Sequence, residues 1–285
     1  MTDILIPGFD IALTAASGQC FRFNRIGDTH FRVIASGRRL EIEDLGAHRF
    51  RPDCDEQTWR SFWHDYFDMD RDYAAVMAAV PEDDMFLREA AAFAGGLRIL
   101  RQDPWETLIG FIISQRKNLP AIKGCVEALS VRFGSRIDGE TFAFPTPGQL
   151  AQADIEELRA CALGYRAPYI QQTARMAASG LIDLDALKAL DDADLQVELM
   201  RFPGVGVKVA DCVMLFGYSR TSAFPRDVWI NRVLDRYYHG ESPAPRLGLN
   251  AGILSNACFA TSVLYNRRIK IEFLNFVLAF LCFQP

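Results

Sequence analysis

The stretch RFPGVGVKVADC, Arg201–Cys212, constrains the fold more than any other in this chain of 285 residues. A proline precedes Gly204 and Gly206, which are spaced by a single valine, and an apolar run holding one lysine, Lys208, follows. Glycines in this arrangement permit a tight turn and a close approach of backbone to a ligand. The longer stretch ELMRFPGVGVKVADC reads as helix, hairpin, helix, with Phe202, Val205 and Val209 packing the two helices together. Amides at the start of the second helix have no intrahelical partner. Gly204, Val205, Gly206 and Val207 are therefore expected to form a nest for an anion such as a phosphate of a DNA backbone. A plain turn between two core helices fits these few residues equally well.

A second feature separates the two readings. Nineteen positions after Lys208, in AFPRDVWINR, Asp227 stands at a predicted helix start. A carboxylate there is stabilised by the helix dipole. One lysine and one carboxylate, each at the start of a helix, fit amine-nucleophile chemistry. A desolvated lysine attacks as the neutral amine. A carboxylate stabilises positive charge developing on a sugar carbon. Simple backbone binding needs neither. The plainer alternatives are a solvated lysine and an ordinary N-cap.

Composition bounds the class. Half the residues are hydrophobic, enough for a sizeable core, and no uncharged apolar run reaches membrane-spanning length. The acidic N-terminus reads as neither a signal nor a transit peptide. Seven widely spaced cysteines without a CxxC pair predict free thiols in a reducing compartment, with no zinc site and no iron–sulfur cluster. No metal or organic cofactor is expected, and a cytoplasmic protein is, at the nucleoid in a bacterium or in the nucleus of a eukaryote. The net charge of −5 counts mildly against a nucleic-acid partner. However, Arg201–Tyr238 holds six basic residues against three acids, and Arg116–Lys123 adds three more with none. A basic face on an acidic body follows.

The predicted fold class is α+β: a small N-terminal antiparallel sheet packed on a mainly helical core. Residues 1–80 form the β-rich domain and 81–285 the helical one, with the C-terminal helix packing near the former. HFRVIASGRRLEIED alternates around a Ser-Gly turn, and FRFNRIGDTHFRVI offers a strand pair around Gly27-Asp28. TWRSFWHDYFDMDRDYAAVMAAV reads as helix. In DPWETLIGFIISQ, Asp103 is an N-cap, Pro104 the first helical residue and Glu106 the closing residue of a capping box, with one face buried. Helices are also predicted to end at Gly134, Gly164, Gly180 and Gly217. The apolar stretch Phe273–Phe283 reads as a short buried helix.

FPGVGVKVADC followed by FPRDVW resembles the helix-hairpin-helix DNA glycosylases, and among them the 8-oxoguanine DNA glycosylases. GQCFRF at Gly18–Phe23, RQDPWETLIGFIISQRKN and LGYRAPYI at Leu163–Ile170 are also similar to that family's motifs, in the same order. The resemblance implies an enzyme that flips 8-oxoguanine from duplex DNA into a pocket. Lys208 would expel the base and form a Schiff base, with β-elimination nicking the strand. Asp227 would assist. Gly18 would offer its carbonyl to the N7–H that guanine lacks. Cys212 would lie against the base, Tyr165 would wedge into the duplex, and Arg166 would hold the orphaned cytosine. The partner implied is double-stranded DNA containing a damaged base, acted on by a monomer.

The chain departs from the family at three places. Arg116 replaces an asparagine on the cytosine side, where Asn118 shares the role. Ala121 stands where a second cytosine-reading arginine is usual. The pocket-lining Gln-x-x-x-Phe pair has no clear counterpart in EFLNFVLAFLCFQP, where Phe280 is the loosest match. Two alternatives follow: a glycosylase of the same fold for another damaged purine such as an alkylated adenine, or a non-catalytic DNA-backbone binder.

Overall fold

The computed structural model describes residues 3–265. The N-terminal part is an antiparallel sheet of β1 (Ile4–Leu5), β2 (Phe23–Arg25), β3 (His30–Ala35), β4 (Arg38–Gly46) and β5 (Arg49–Pro52), in the order β1-β5-β4-β3-β2. Both predicted hairpins are present. At the β3–β4 turn Ser36 and Gly37 both have positive φ, 48° and 72°, the geometry whose twist matches that of the flanking strands. The register pairs Phe31 with Ile42 and Val33 with Leu40. This places the alternate residues on one face, where they are buried with Phe23 and Phe50 against Trp59, Trp63 and Phe67. Each such side chain contributes about 1.5–3 kcal/mol by leaving water.

The aromatic segment after the sheet is not one helix. It runs from Glu56 to Tyr66 through a π-helical turn at Trp59–Trp63, reverses, and resumes at Tyr73–Ala78. The break centres on Asp68, whose φ is +50°. Its buried carboxylate accepts from the Tyr73 hydroxyl at 2.9 Å and from Arg101 at 2.7 Å. Arg71 pairs with the same carboxylate locally, and Arg101 adds a partner from far along the chain that periodicity does not reveal.

The remainder is helical. Asp103 accepts from the Glu106 amide at 2.9 Å and Pro104 opens the Pro104–Ser114 helix, as predicted. Glu106 does not return its carboxyl to close the box; it faces inward among Arg22, Asp103 and Glu127, and burial pushes its pKa up to about 8. Nor is only one face of this helix covered: Trp105 and every residue from Thr107 to Ile113 are buried. It is the central helix, and Val207–Gly217 packs on it so closely that a Cβ at Gly217 would lie 3.1 Å from the Pro104 Cα. Around them stand Leu119–Phe133, Ala167–Ala178, Asp192–Leu199, Val228–Tyr237 and Ala251–Ala260. Phe21 from the N-terminal part packs into this helical core. The helix that was to end at Gly164 is irregular from Arg159, and Ala162 and Gly164 both take positive φ, 58° and 57°. The segment Phe273–Phe283, with Phe280 and Cys282, lies outside the described residues.

No helix among the described residues is long and apolar enough to cross a membrane.

Candidate active site

The helix-hairpin-helix is present, with Asp192–Leu199 and Val207–Gly217 as its helices. Phe202, Val205 and Val209 are buried between them. Its two glycines do different work. Gly204 has φ +79°, and a Cβ there would come 2.8 Å from the Tyr169 ring, so the turn and the close packing both need glycine. Gly206 has φ −106°, open to any residue, and a Cβ there would meet nothing within 4 Å. The amides of both donate to no acceptor among the described residues. With Val207, more than half exposed, they offer an outward anion site at a helix start.

The same turn sets Lys208 as the second residue of its helix. That register points it inward, where its Nζ lies 4.9 Å from the centre of the Phe111 ring. Phe111 in turn stacks on Phe216 at 5.6 Å and meets the edge of Phe21 at 5.2 Å. Phe111, packed between two further rings, is thus an apolar floor under the amine, and its face attracts the cation by its quadrupole. Cys212, one turn after Lys208, is buried, and burial pushes its thiol up to about 11 although the Lys208 ammonium opposes the shift. It is therefore a neutral wall group at physiological pH, not a second nucleophile.

Asp227 caps Val228–Tyr237 as expected. Its Oδ1 accepts from the amides of Trp229 at 2.9 Å and Ile230 at 2.8 Å. Oδ2 has no bond among the described residues, so one oxygen holds the helix and the other is available to the cavity.

Gly18 enters from the N-terminal part, at φ +78° just after the Ile11–Ala16 helix. Gln19 locks that bend. Its side-chain nitrogen donates to Ser17 Oγ at 2.9 Å and Arg98 O at 2.8 Å, and its oxygen accepts from Leu100 N at 2.8 Å. The Gly18 backbone is thereby tied to a fixed frame rather than to a mobile loop.

Gly18, Arg116, Asn118, Lys208, Cys212 and Asp227 line one cavity of about 860 Å³. Residues from positions 18 and 227 meet there although the sequence separates them by most of the chain. Asn118 caps the next helix through Ala121 N at 3.0 Å, and Arg116 is exposed beside it at φ +52°. Tyr165 lies outside this cavity, 53% exposed, with its ring edge-on to Tyr169 at 6.3 Å. Arg166, the residue expected to hold the orphaned cytosine, follows it in the chain. It is buried, stacks 4.3 Å over the Tyr165 ring, and donates to the backbone carbonyls of Gln115 and Leu163.

Sequence reasoning missed three groups on the cavity wall: Ser255, Asn256 and Phe259. The Phe259 ring lies 3.5 Å from where a Gly18 Cβ would stand. Its helix, Ala251–Ala260, is nearly uniformly buried, so no amphipathic pattern marks the one face that turns to the cavity. The described residues contain no cluster of His, Cys, Asp or Glu able to hold a metal ion.

The chain is similar to known proteins over most of its length. Residues 4–108 match the family described as "8-oxoguanine DNA glycosylase, N-terminal domain", and residues 109–247 match "HhH-GPD superfamily base excision DNA repair protein". A probable N-glycosylase/DNA lyase of Methanothermobacter thermautotrophicus is 31% identical over 270 residues, 84% of this chain and 86% of that protein. The fold is similar to an 8-oxoguanine glycosylase/lyase of Clostridium acetobutylicum in complex with double-stranded DNA containing cytosine opposite 8-oxoG. The TM-score is 0.86 at 30% identity, covering 91% of this chain and 93% of that one. MBOgg1 in complex with a low affinity DNA ligand is similar to the same degree, with TM-score 0.86 at 34% identity over 90% and 93% of the two chains. The motifs, the cavity they build and these matches agree: the chain belongs to the 8-oxoguanine DNA glycosylases of the HhH-GPD superfamily.

Proposed function

We propose that this chain is a bifunctional DNA N-glycosylase and abasic-site lyase that removes 8-oxoguanine from duplex DNA, with Lys208 as nucleophile and Asp227 as its electrostatic partner. The observation that carries the residue assignment is the meeting of Lys208, Asp227 and the Gly18 backbone in one cavity beside the hairpin. The hairpin amides hold a backbone phosphate, which fixes the sugar relative to Lys208. The flipped base enters the cavity, at a cost of a few kcal/mol in lost stacking. As the bond between C1′ and the base breaks, positive charge grows on the sugar, and the Asp227 carboxylate stabilises it. The Lys208 ammonium gives up a proton, which the leaving base gains; the base takes the electron pair of the broken bond, and the freed amine forms the new bond to C1′. Opening of the sugar ring gives a Schiff base. Loss of a C2′ proton then expels the 3′ phosphate and nicks the strand.

Base choice rests on other residues that line the cavity. The Gly18 carbonyl accepts from the N7–H of 8-oxoguanine, while guanine presents a lone pair there and leaves the acceptor unmatched. Phe259 and Cys212 supply flat, neutral contact for the ring. We read residues 1–80 as the platform that delivers Gly18 and 81–285 as the domain that delivers the lysine and aspartate.

The test is reductive trapping. With an 8-oxoguanine duplex and borohydride, the wild type is expected to give a covalent complex and free base, and Lys208→Gln neither. Base release without trapping would assign hydrolysis by the aspartate alone, and duplex binding without either would leave a binding module.

A further inference from the structure

Three segments with separate roles in the proposed reaction meet at one residue that those roles do not use, Gln115: two at its side chain and one at its backbone carbonyl. It follows the last residue of the central helix, Pro104–Ser114, and is half-buried. Its side-chain nitrogen donates to Ile112 O at 3.2 Å, closing its own helix, and to Gly204 O at 3.0 Å, in the hairpin. Its backbone carbonyl accepts from buried Arg166, in the loop that carries Tyr165. The next residue is Arg116, at φ +52°, the exposed tip of the turn beside the cavity. The neighbouring Lys117 adds a second tie, donating to Ala162 O at 3.0 Å.

The consequence is mechanical. Both acceptors of the Gln115 carboxamide nitrogen are fixed carbonyls, one at the end of the most buried helix and one in the hairpin. A residue at positive φ, such as Arg116, holds its direction only where its neighbours are over-determined. We propose that Gln115 is a positioning residue: it locks the Arg116 turn, which faces the duplex, to the hairpin that grips the backbone. Probing of the opposite strand and delivery of the sugar to Lys208 then occur in one register. The proposal rests on the reading of this chain as a lysine-dependent DNA glycosylase.

The experiment compares borohydride trapping on two substrates that need no base in the pocket: an abasic duplex and an abasic single strand. Only the duplex has an opposite strand for the Arg116 turn to engage. Two substitutions of similar size separate shape from hydrogen bonding. Gln115→Met fills the space without a donor. Gln115→Glu places a carboxylate against two carbonyls and leaves both acceptors facing like charge. The wild type is expected to trap the duplex faster than the single strand. Gln115→Met is expected to lose about tenfold of that duplex advantage and Gln115→Glu more, with single-strand trapping held within about twofold. A duplex-to-single-strand ratio unchanged from wild type in both variants, a wild-type ratio of one included, overturns the proposal. So does a parallel fall on both substrates, which would assign Gln115 a general structural role. Release of 8-oxoguanine by the wild type is measured alongside. If the wild type traps abasic DNA but releases no 8-oxoguanine, the substrate reading fails, and the Gln115 proposal still stands or falls on its own ratio.

Discussion

The two walls of the cavity are built by different means. On one wall, Lys208 and Asp227 are each placed by a helix start, with the turn residues and caps written in adjacent sequence. On the other, Gly18 and Phe259 come from the two ends of the described chain and are placed by long-range packing. In the proposed reaction the first wall supplies the reacting groups, whose positions tolerate little error. The second holds a shape into which a base fits. On that proposal, chemistry is attached to local devices, and selectivity to tertiary contacts.

Substitutions on the two walls are therefore expected to separate. The largest effect belongs to Lys208→Gln, which removes the nucleophile: single-turnover excision should fall by ~10³-fold or more and trapping vanish. Retention of trapping would move the nucleophile elsewhere. Asp227→Asn should cost ~10²-fold in excision while the melting temperature stays nearly unchanged. Asparagine caps a helix as well as aspartate does, so a large loss of stability would show that the cap, not the charge, is its main role. On the other wall, Phe259→Ala and Gly18→Ala should each lower 8-oxoguanine excision about tenfold and leave trapping of a preformed abasic site intact. An alanine at Gly18 must adopt φ +78° and sit 3.5 Å from Phe259, so the carbonyl it carries would shift. Equal loss on both substrates would erase the distinction between the walls.

The smallest effect tests the junction behind them. Glu106 has its pKa raised to about 8 by burial, above its ordinary value of 4.5. The fold therefore favours its protonated form. The stability this contributes is complete below the ordinary carboxylate range and is lost as the pH rises through about 8. Thermal denaturation of the wild type should weaken over that window, and Glu106→Gln should flatten the profile. An unchanged profile in the variant would place the titrating group elsewhere.

Much of the catalytic wall was legible. PGVGVK marked the hairpin, and a lone aspartate after Phe-Pro marked the second helix start, because caps and tight turns depend on a few neighbouring residues. Gly204 needed its freedom; Gly206 did not, and only the backbone angles told them apart. Sequence gives the chemistry of Arg166 and not its direction; the fold stacks it on Tyr165 and turns it to Gln115. Phe259 was hidden because a helix buried on all sides carries no periodic signal.

By itself, then, the sequence determined the α+β class, and also the two hairpin strand pairs, the helix starts and the turn and cap that carry Lys208 and Asp227, these last set by interactions within a few residues. The tertiary structure alone decided that Gly18 and Phe259 line one cavity, that Asp68 breaks a helix with help from Arg101, and that Gln115 joins three loops. Those contacts link residues tens to hundreds of positions apart. Their free energy comes from packing and from buried hydrogen bonds that exist only once the chain has closed around them.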